Sequence, residues 1–141
     1  MYIDRQNLFG QDQAVTTSAA STDYIDLGAA RDIGNGGALE ILVLCTQGVT
    51  AAGAATVTVA LQSDDNSSFS SPANLVLSDA LPKASLTAGA QVLRVAVPYG
   101  AERYLRLYFT VGMGPLTAGT FTSGLIPQRQ ANVAHASGYV A

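Results

Sequence analysis

Two carboxylates and an amide stand side by side at Asp64, Asp65 and Asn66, directly after an alternating segment at 56–62. Oxygen ligands of this kind bind Ca²⁺, which takes about six to eight of them. The spacing does not fit an EF-hand loop, which needs a glycine at its sixth position and a glutamate at its twelfth. The other interpretation is a strand-end turn, in which Asp and Asn side chains accept hydrogen bonds from nearby amides and Phe69 packs back onto the sheet. We expect the turn and keep a metal site as the alternative.

Side chains suited to catalysis are few in this sequence and are not grouped. His135, the only histidine, lies in a C-terminal segment with no rigid scaffold to hold it in a Ser–His–Asp site. Glu40 and Glu102 fall in one strand and at the start of another, so nothing pairs them for glycosidase chemistry. Cys45 lies in an apolar strand, where we expect burial. Phosphate-binding, dinucleotide-binding and zinc spacings do not occur, and we expect neither an enzyme nor a cofactor.

The composition favours one domain with a nearly neutral surface. The chain has 141 residues, and only 12% of them are charged, about half the usual share. Its net charge is −3 and Lys83 is the only lysine, so the basic patch of a nucleic-acid or anionic-membrane binder is missing. The sequence contains no apolar run long enough to span a membrane and no signal-peptide pattern at its start. We expect no direct contact with nucleic acid or membrane.

Apolar residues alternate with polar ones along several segments, which is typical of β-strands with one face buried. The residues predicted to face the core in three of them are Val57, Val59 and Leu61; Leu93, Val95 and Val97; and Leu105, Leu107, Phe109 and Val111. Turn-forming residues separate these segments, and no segment keeps a helical period. We therefore predict an all-β fold, a single antiparallel β-sandwich of about eight strands over residues 14–127. Residues 1–13 and 128–141 are predicted to be extended arms.

Two sets of residues are candidates for contacts with other molecules. Tyr104, Arg106 and Tyr108 share the face of their strand opposite the core, and Tyr and Arg are enriched at protein interfaces. The same face is also a candidate sugar-binding platform. The second set consists of apolar and tyrosine side chains on the predicted arms. An extended arm could add a strand to the sheet edge of a partner, and these side chains would then anchor it. They are Tyr2, Ile3, Phe9, Tyr139 and Val140.

The order and spacing of three segments resemble a known family. They are "STDYIDLGAARDIGNG", "ATVTVALQSDDNSSFSSP" and the region that contains the P-x-G-x-x-R-Y-L-R-L run from Pro98 to Leu107. Over residues 10–126 the chain is similar to the small jellyroll cement, or decoration, proteins of tailed-phage heads. The resemblance implies a non-enzymatic virion protein, made in the host cytoplasm and bound to the outside of a shell of HK97-like major capsid proteins. It also implies association with itself, as a homodimer or homotrimer. A carbohydrate- or calcium-binding sandwich module is the alternative.

Overall fold

A computed structural model describes residues 3–33 and 39–127. Within these ranges the regular structure consists of ten β-strands and two short 3₁₀ turns, Arg5–Asn7 and Lys83–Ser85. The strands are β1 (Leu8–Ala14), β2 (Ala19–Ala20), β3 (Ile25–Asp26), β4 (Glu40–Thr50), β5 (Thr56–Asp64), β6 (Ala73–Leu77), β7 (Leu81–Pro82), β8 (Gln91–Ala96), β9 (Tyr104–Gly112) and β10 (Ala118–Ile126). None of the described residues forms a helix long and apolar enough to cross a membrane.

The strands form two antiparallel sheets that pack face to face. The four-stranded sheet has the order β1-β10-β4-β8, and the six-stranded sheet has the order β2-β9-β5-β6. The short strand β3 also pairs with β9, and β7 also pairs with β5. The pairs β2/β3 and β6/β7 therefore each fill one strand position, which leaves eight positions, four in each sheet. This is the arrangement of a jellyroll, and the predicted antiparallel sandwich is confirmed.

The core lies between the inner faces of the two sheets. Val57, Val59 and Leu61 of β5 and Leu105, Leu107 and Phe109 of β9 are all fully buried, as their alternation predicts. Phe109 meets Phe121 of the opposite sheet, with 5.2 Å between the ring centroids. Burying a side chain of this size contributes roughly 1.5–3 kcal/mol. Cys45 is also buried in this core, and the burial raises the pKa of its thiol.

The predicted boundary between an N-terminal arm and the core is wrong. Leu8–Ala14 forms β1, the edge strand of the four-stranded sheet, and pairs with β10. Phe9 is completely buried in the core cluster, so it cannot serve as an arm contact. The alternation is hard to recognise because the β1–β10 register shifts twice, at Leu8/Gly10 and at Gly10/Gln13.

The first described residues cross the outer face of the four-stranded sheet. A Cβ atom added at Gly124 would lie 2.8 Å from the carbonyl oxygen of Asn7 and 2.9 Å from Cγ2 of Ile3, so only glycine allows this approach. Ile3 is half-buried there. The other arm candidates, Tyr2, Tyr139 and Val140, lie outside the described residues, as does the whole predicted arm at 128–141.

One residue of β8 faces the core although the sequence predicts that it faces solvent. Val92 is buried, although simple alternation with Leu93 and Val95 predicts that it faces solvent. Its strand pairs with β4 through Leu93 opposite Val43 and Gln91 opposite Leu44, which leaves Val92 as an extra residue in a bulge. A bulge breaks the two-residue period, so neighbouring residues can both face the core.

Candidate functional site

The segment between β5 and β6 is a turn organised around the carboxylate of Asp64. This side chain is only 2% exposed. Its Oδ2 accepts a hydrogen bond from the backbone N–H of Ser71 (2.9 Å), and its Oδ1 accepts one from the N–H of Asn66 (3.0 Å). These two donors, Ser71 first, hold the pKa of Asp64 below its usual value. The carboxylate therefore closes the turn from both ends.

The same turn carries Phe69 back onto the six-stranded sheet. Asn66 Oδ1 accepts hydrogen bonds from the N–H and the hydroxyl of Ser68, and Asn66 O accepts one from the N–H of Phe69. Phe69 has a φ of +49°, in the left-handed region that a bulky residue rarely adopts. Despite this backbone conformation Phe69 is only 7% exposed, because its ring packs against side chains of β9. The predicted strand-end turn is confirmed in each of these contacts.

The acidic residues of the turn meet a third carboxylate. Carboxylate oxygens of Asp64, Asp65 and Glu102 lie within 4.8 Å of one another. Asn66, named with the two aspartates from the sequence, directs its side-chain oxygen to Ser68 instead. Glu102 lies close to the two aspartates because it stands two residues before Tyr104, and Tyr104 lies opposite Asp64 in the pairing of β9 with β5. This acidic cluster has oxygen ligands suited to a divalent cation such as Ca²⁺, although both oxygens of Asp64 already accept backbone amides.

Three aromatic rings form a cluster on the outer face of the six-stranded sheet. Tyr24 lies edge-on to Tyr104, with 5.6 Å between ring centroids, and edge-on to Phe69 at 6.0 Å. Phe69 and Tyr104 are themselves 6.5 Å apart. Such edge contacts each contribute about 0.5–1.5 kcal/mol beyond simple burial. Half of the Tyr24 side chain remains exposed, so the cluster presents aromatic surface to solvent.

Arg106 lies across this cluster and is held by neutral neighbours. Its guanidinium carbon is 4.3 Å from the Phe69 ring centroid and 5.6 Å from that of Tyr108. Its Nε donates a hydrogen bond to Oε1 of Gln62 (2.8 Å). No carboxylate of residues 3–33 or 39–127 forms an ion pair with it. We call Tyr24, Phe69, Tyr104, Arg106 and Tyr108 the aromatic patch. It contains all three residues predicted for this face, Phe69, which was predicted to pack back onto the sheet, and Tyr24, which the sequence did not reveal.

Two other arginines differ from Arg106 because each has a carboxylate partner. Arg103, directly before β9, donates from Nε and Nη2 to the two oxygens of Asp26 (2.8 and 3.0 Å). The hydrogen bond from Arg103 is the main reason why the pKa of Asp26 falls to about 2. Arg94, on β8, makes the same kind of two-point contact with Glu40 (2.7 and 3.1 Å). Pairs of this geometry satisfy both charges within the chain.

A comparison with protein families adds information on the class of protein. The family model described as Bbp16 matches residues 9–125, which cover most of the chain and the whole aromatic patch. The match indicates a phage-related structural protein. No curated protein matches the chain.

Proposed function

Since this chain belongs to the Bbp16 family of phage-related proteins, we propose that it is a capsid cement, or decoration, protein. It binds the outer surface of the phage head and bridges neighbouring major capsid proteins of the HK97-like fold. In doing so it stabilises the shell against the pressure of the packaged DNA. It acts through contacts alone, without catalysis or a cofactor. It associates with itself as a homodimer or homotrimer, and it resides on the virion.

The aromatic patch is the observation that carries this proposal. Tyr and Arg dominate the residues that contribute most to protein–protein binding. Here Tyr104, Arg106 and Tyr108 stand on β9, which is paired on both sides, by β2 and β3 and by β5, and the guanidinium of Arg106 already contacts the ring of Tyr108. Side chains that are ordered before binding lose less conformational entropy when a partner arrives. The patch is therefore built as a contact surface.

Moderate contacts are enough for a cement protein that engages several capsid subunits. A standard interface buries about 1,600 Å² in total. When one bound contact holds a second near its site, overall affinity rises by roughly 10²–10⁴-fold. A self-associated protein whose patches match the spacing of the capsid lattice gains this factor without any stronger individual contact.

The proposal is tested with capsids of the encoding phage from which this protein has been removed. Purified protein is added back, and the bound copies and the temperature of capsid rupture are measured. We expect saturation at a fixed number of copies per major capsid protein, together with a higher rupture temperature. Failure to bind these depleted capsids would contradict the proposal.

A second candidate function is that of a calcium- or carbohydrate-binding module, and the acidic cluster supports the calcium case. A ligand that binds only the native state raises the melting temperature by mass action. Thermal unfolding with and without Ca²⁺ therefore tests the calcium case, with Asp65→Asn/Glu102→Gln as the matched control. A rise that this double variant abolishes would favour the second function.

A further inference from the structure

We propose that the aromatic patch binds a carboxylate of the capsid shell protein and that Arg106 receives it. The inference rests on the proposed cement function, because it specifies the chemistry of the shell surface that this face contacts. It comes from one feature of the patch. A guanidinium is fixed by neutral groups, and among the described residues no anion balances its charge.

The orientation of Arg106 is set by two independent contacts. Phe69 stacks against the guanidinium, and Gln62 accepts from Nε. Gln62 is itself oriented, since its Nε2 donates to Oδ1 of Asn74 (3.1 Å) and its oxygen therefore faces the arginine. A guanidinium has five N–H donors. Gln62 takes one, and the donors on the two terminal nitrogens form a fork that matches the two oxygens of a carboxylate.

The partner must carry a negative charge because the guanidinium of an arginine is a cation with donors and no acceptor. Covering such a group without a counter-ion is unfavourable, because the cation loses its hydration and gains no partner charge. Arg94 and Arg103 avoid this cost through Glu40 and Asp26. Arg106 has the uncharged Gln62 at the equivalent place. A protein surface that covers this patch is therefore favourable only when it supplies the carboxylate.

The shell protein fits as the occupant better than a second copy of this chain does. Of the carboxylates near the patch, Asp26 pairs with Arg103 and Asp64 accepts backbone amides, while Asp65 and Glu102 stand beside the like-charged Asp64 in the acidic cluster. Pairing two copies through this face would also bring both acidic clusters to one interface. Placing these two clusters of like charge in one interface is unfavourable. Self-association then uses another surface.

Three variants test the assignment in titrations of depleted capsids, followed by co-sedimentation. Arg106→Ala should weaken binding about 30-fold or more, as expected for a central arginine anchor. Gln62→Glu should weaken it roughly 10-fold, because the new carboxylate pairs with Arg106 within the chain and competes with the partner. Its melting temperature should equal or exceed that of the wild type, so unfolding would not explain the loss. Arg94→Ala, on the other sheet, should bind as the wild type does.

Each alternative outcome gives a definite answer. If the wild type binds and Arg106→Ala binds equally well, the carboxylate site is wrong and the cement function stands. If Arg106→Ala instead sediments as a smaller species than the wild type in analytical ultracentrifugation, the patch is a self-association surface. The carboxylate site on the shell protein is then also wrong. If the wild-type protein does not bind depleted capsids at all, both proposals fail.

Discussion

Arg94 and Arg106 project from opposite faces of the sandwich, and their charges are accommodated in different ways. Arg94 forms a two-point ion pair with Glu40 across β8 and β4. Arg106 lies between the rings of Phe69 and Tyr108 and contacts only an amide oxygen with its Nε. The first arginine is satisfied within its own sheet. The second has a fixed position and an unbalanced charge, which is the state expected of a residue that meets a partner.

The surfaces around the two arginines also differ in how far their groups are already paired within the chain. On the four-stranded sheet, hydroxyl groups pair with each other, Thr46 with Thr120 (2.8 Å) and Thr50 with Thr117 (2.7 Å). On the six-stranded sheet, aromatic rings remain partly exposed, and Leu77 of β6 is 65% exposed. Polar groups that are already paired gain little from a partner, whereas exposed apolar area and an unpaired cation gain much. We infer that the two faces of the sandwich have different roles.

The largest effect on stability is expected from substitution of Phe69, whose ring contacts the guanidinium of Arg106. Phe69→Ala should lower the free energy of unfolding by about 3 kcal/mol, because it removes a nearly buried ring. It should also weaken capsid binding, because Arg106 loses its stacking partner. Urea unfolding measures the first effect. Leu77→Ala on the same face is the control and should change stability by less than about 0.5 kcal/mol. Equal losses in the two variants would show that Phe69 is not anchored as described.

A second effect, dependent on pH, is expected from Asp64. Its pKa is lowered in the folded chain, so its stabilising contribution is present above the ordinary Asp value of 3.8 and is lost as pH falls through the lowered pKa. Asp64→Asn should therefore melt at a lower temperature than the wild type at pH 7, and the gap should narrow towards pH 2. The control Asp79→Asn, at an exposed position away from this turn in sequence, should melt as the wild type does at pH 7. A gap for Asp64→Asn that stays constant with pH would contradict the role given to its charge.

The smallest effect is expected from the ion pair on the opposite sheet. Arg94 and Glu40 are partly exposed, and exposed ion pairs contribute little to stability. Arg94→Ala should lower the melting temperature by no more than about 2 °C. Its capsid affinity should be unchanged. A loss of affinity comparable with that of Arg106→Ala would remove the distinction between the two faces.

The fold could be predicted largely from alternation, and the exceptions have physical causes. Alternation in β5 and β9 correctly assigned six core residues, which are Val57, Val59, Leu61, Leu105, Leu107 and Phe109. It failed for Val92, where a bulge inserts an extra residue. It also failed for Phe9, because the irregular register of β1 hides its alternation. A bulge or a register shift depends on the partner strand, which the local sequence does not reveal.

The candidate site was only partly predictable for a similar reason. Tyr104, Arg106 and Tyr108 lie on one strand, so their shared face follows from their spacing alone. Phe69 was expected to return to the sheet, but not to stack on Arg106, which is distant in sequence. That contact depends on the pairing of Gln62 with Arg106 across β5 and β9, and on the turn held by Asp64.

The most direct test of this account is a cryo-electron microscopy map of depleted capsids saturated with the protein. We predict that the six-stranded sheet faces the shell, with Arg106 next to an acidic side chain of the major capsid protein. A map in which the aromatic patch faces solvent, while another surface contacts the shell, would contradict the central claim.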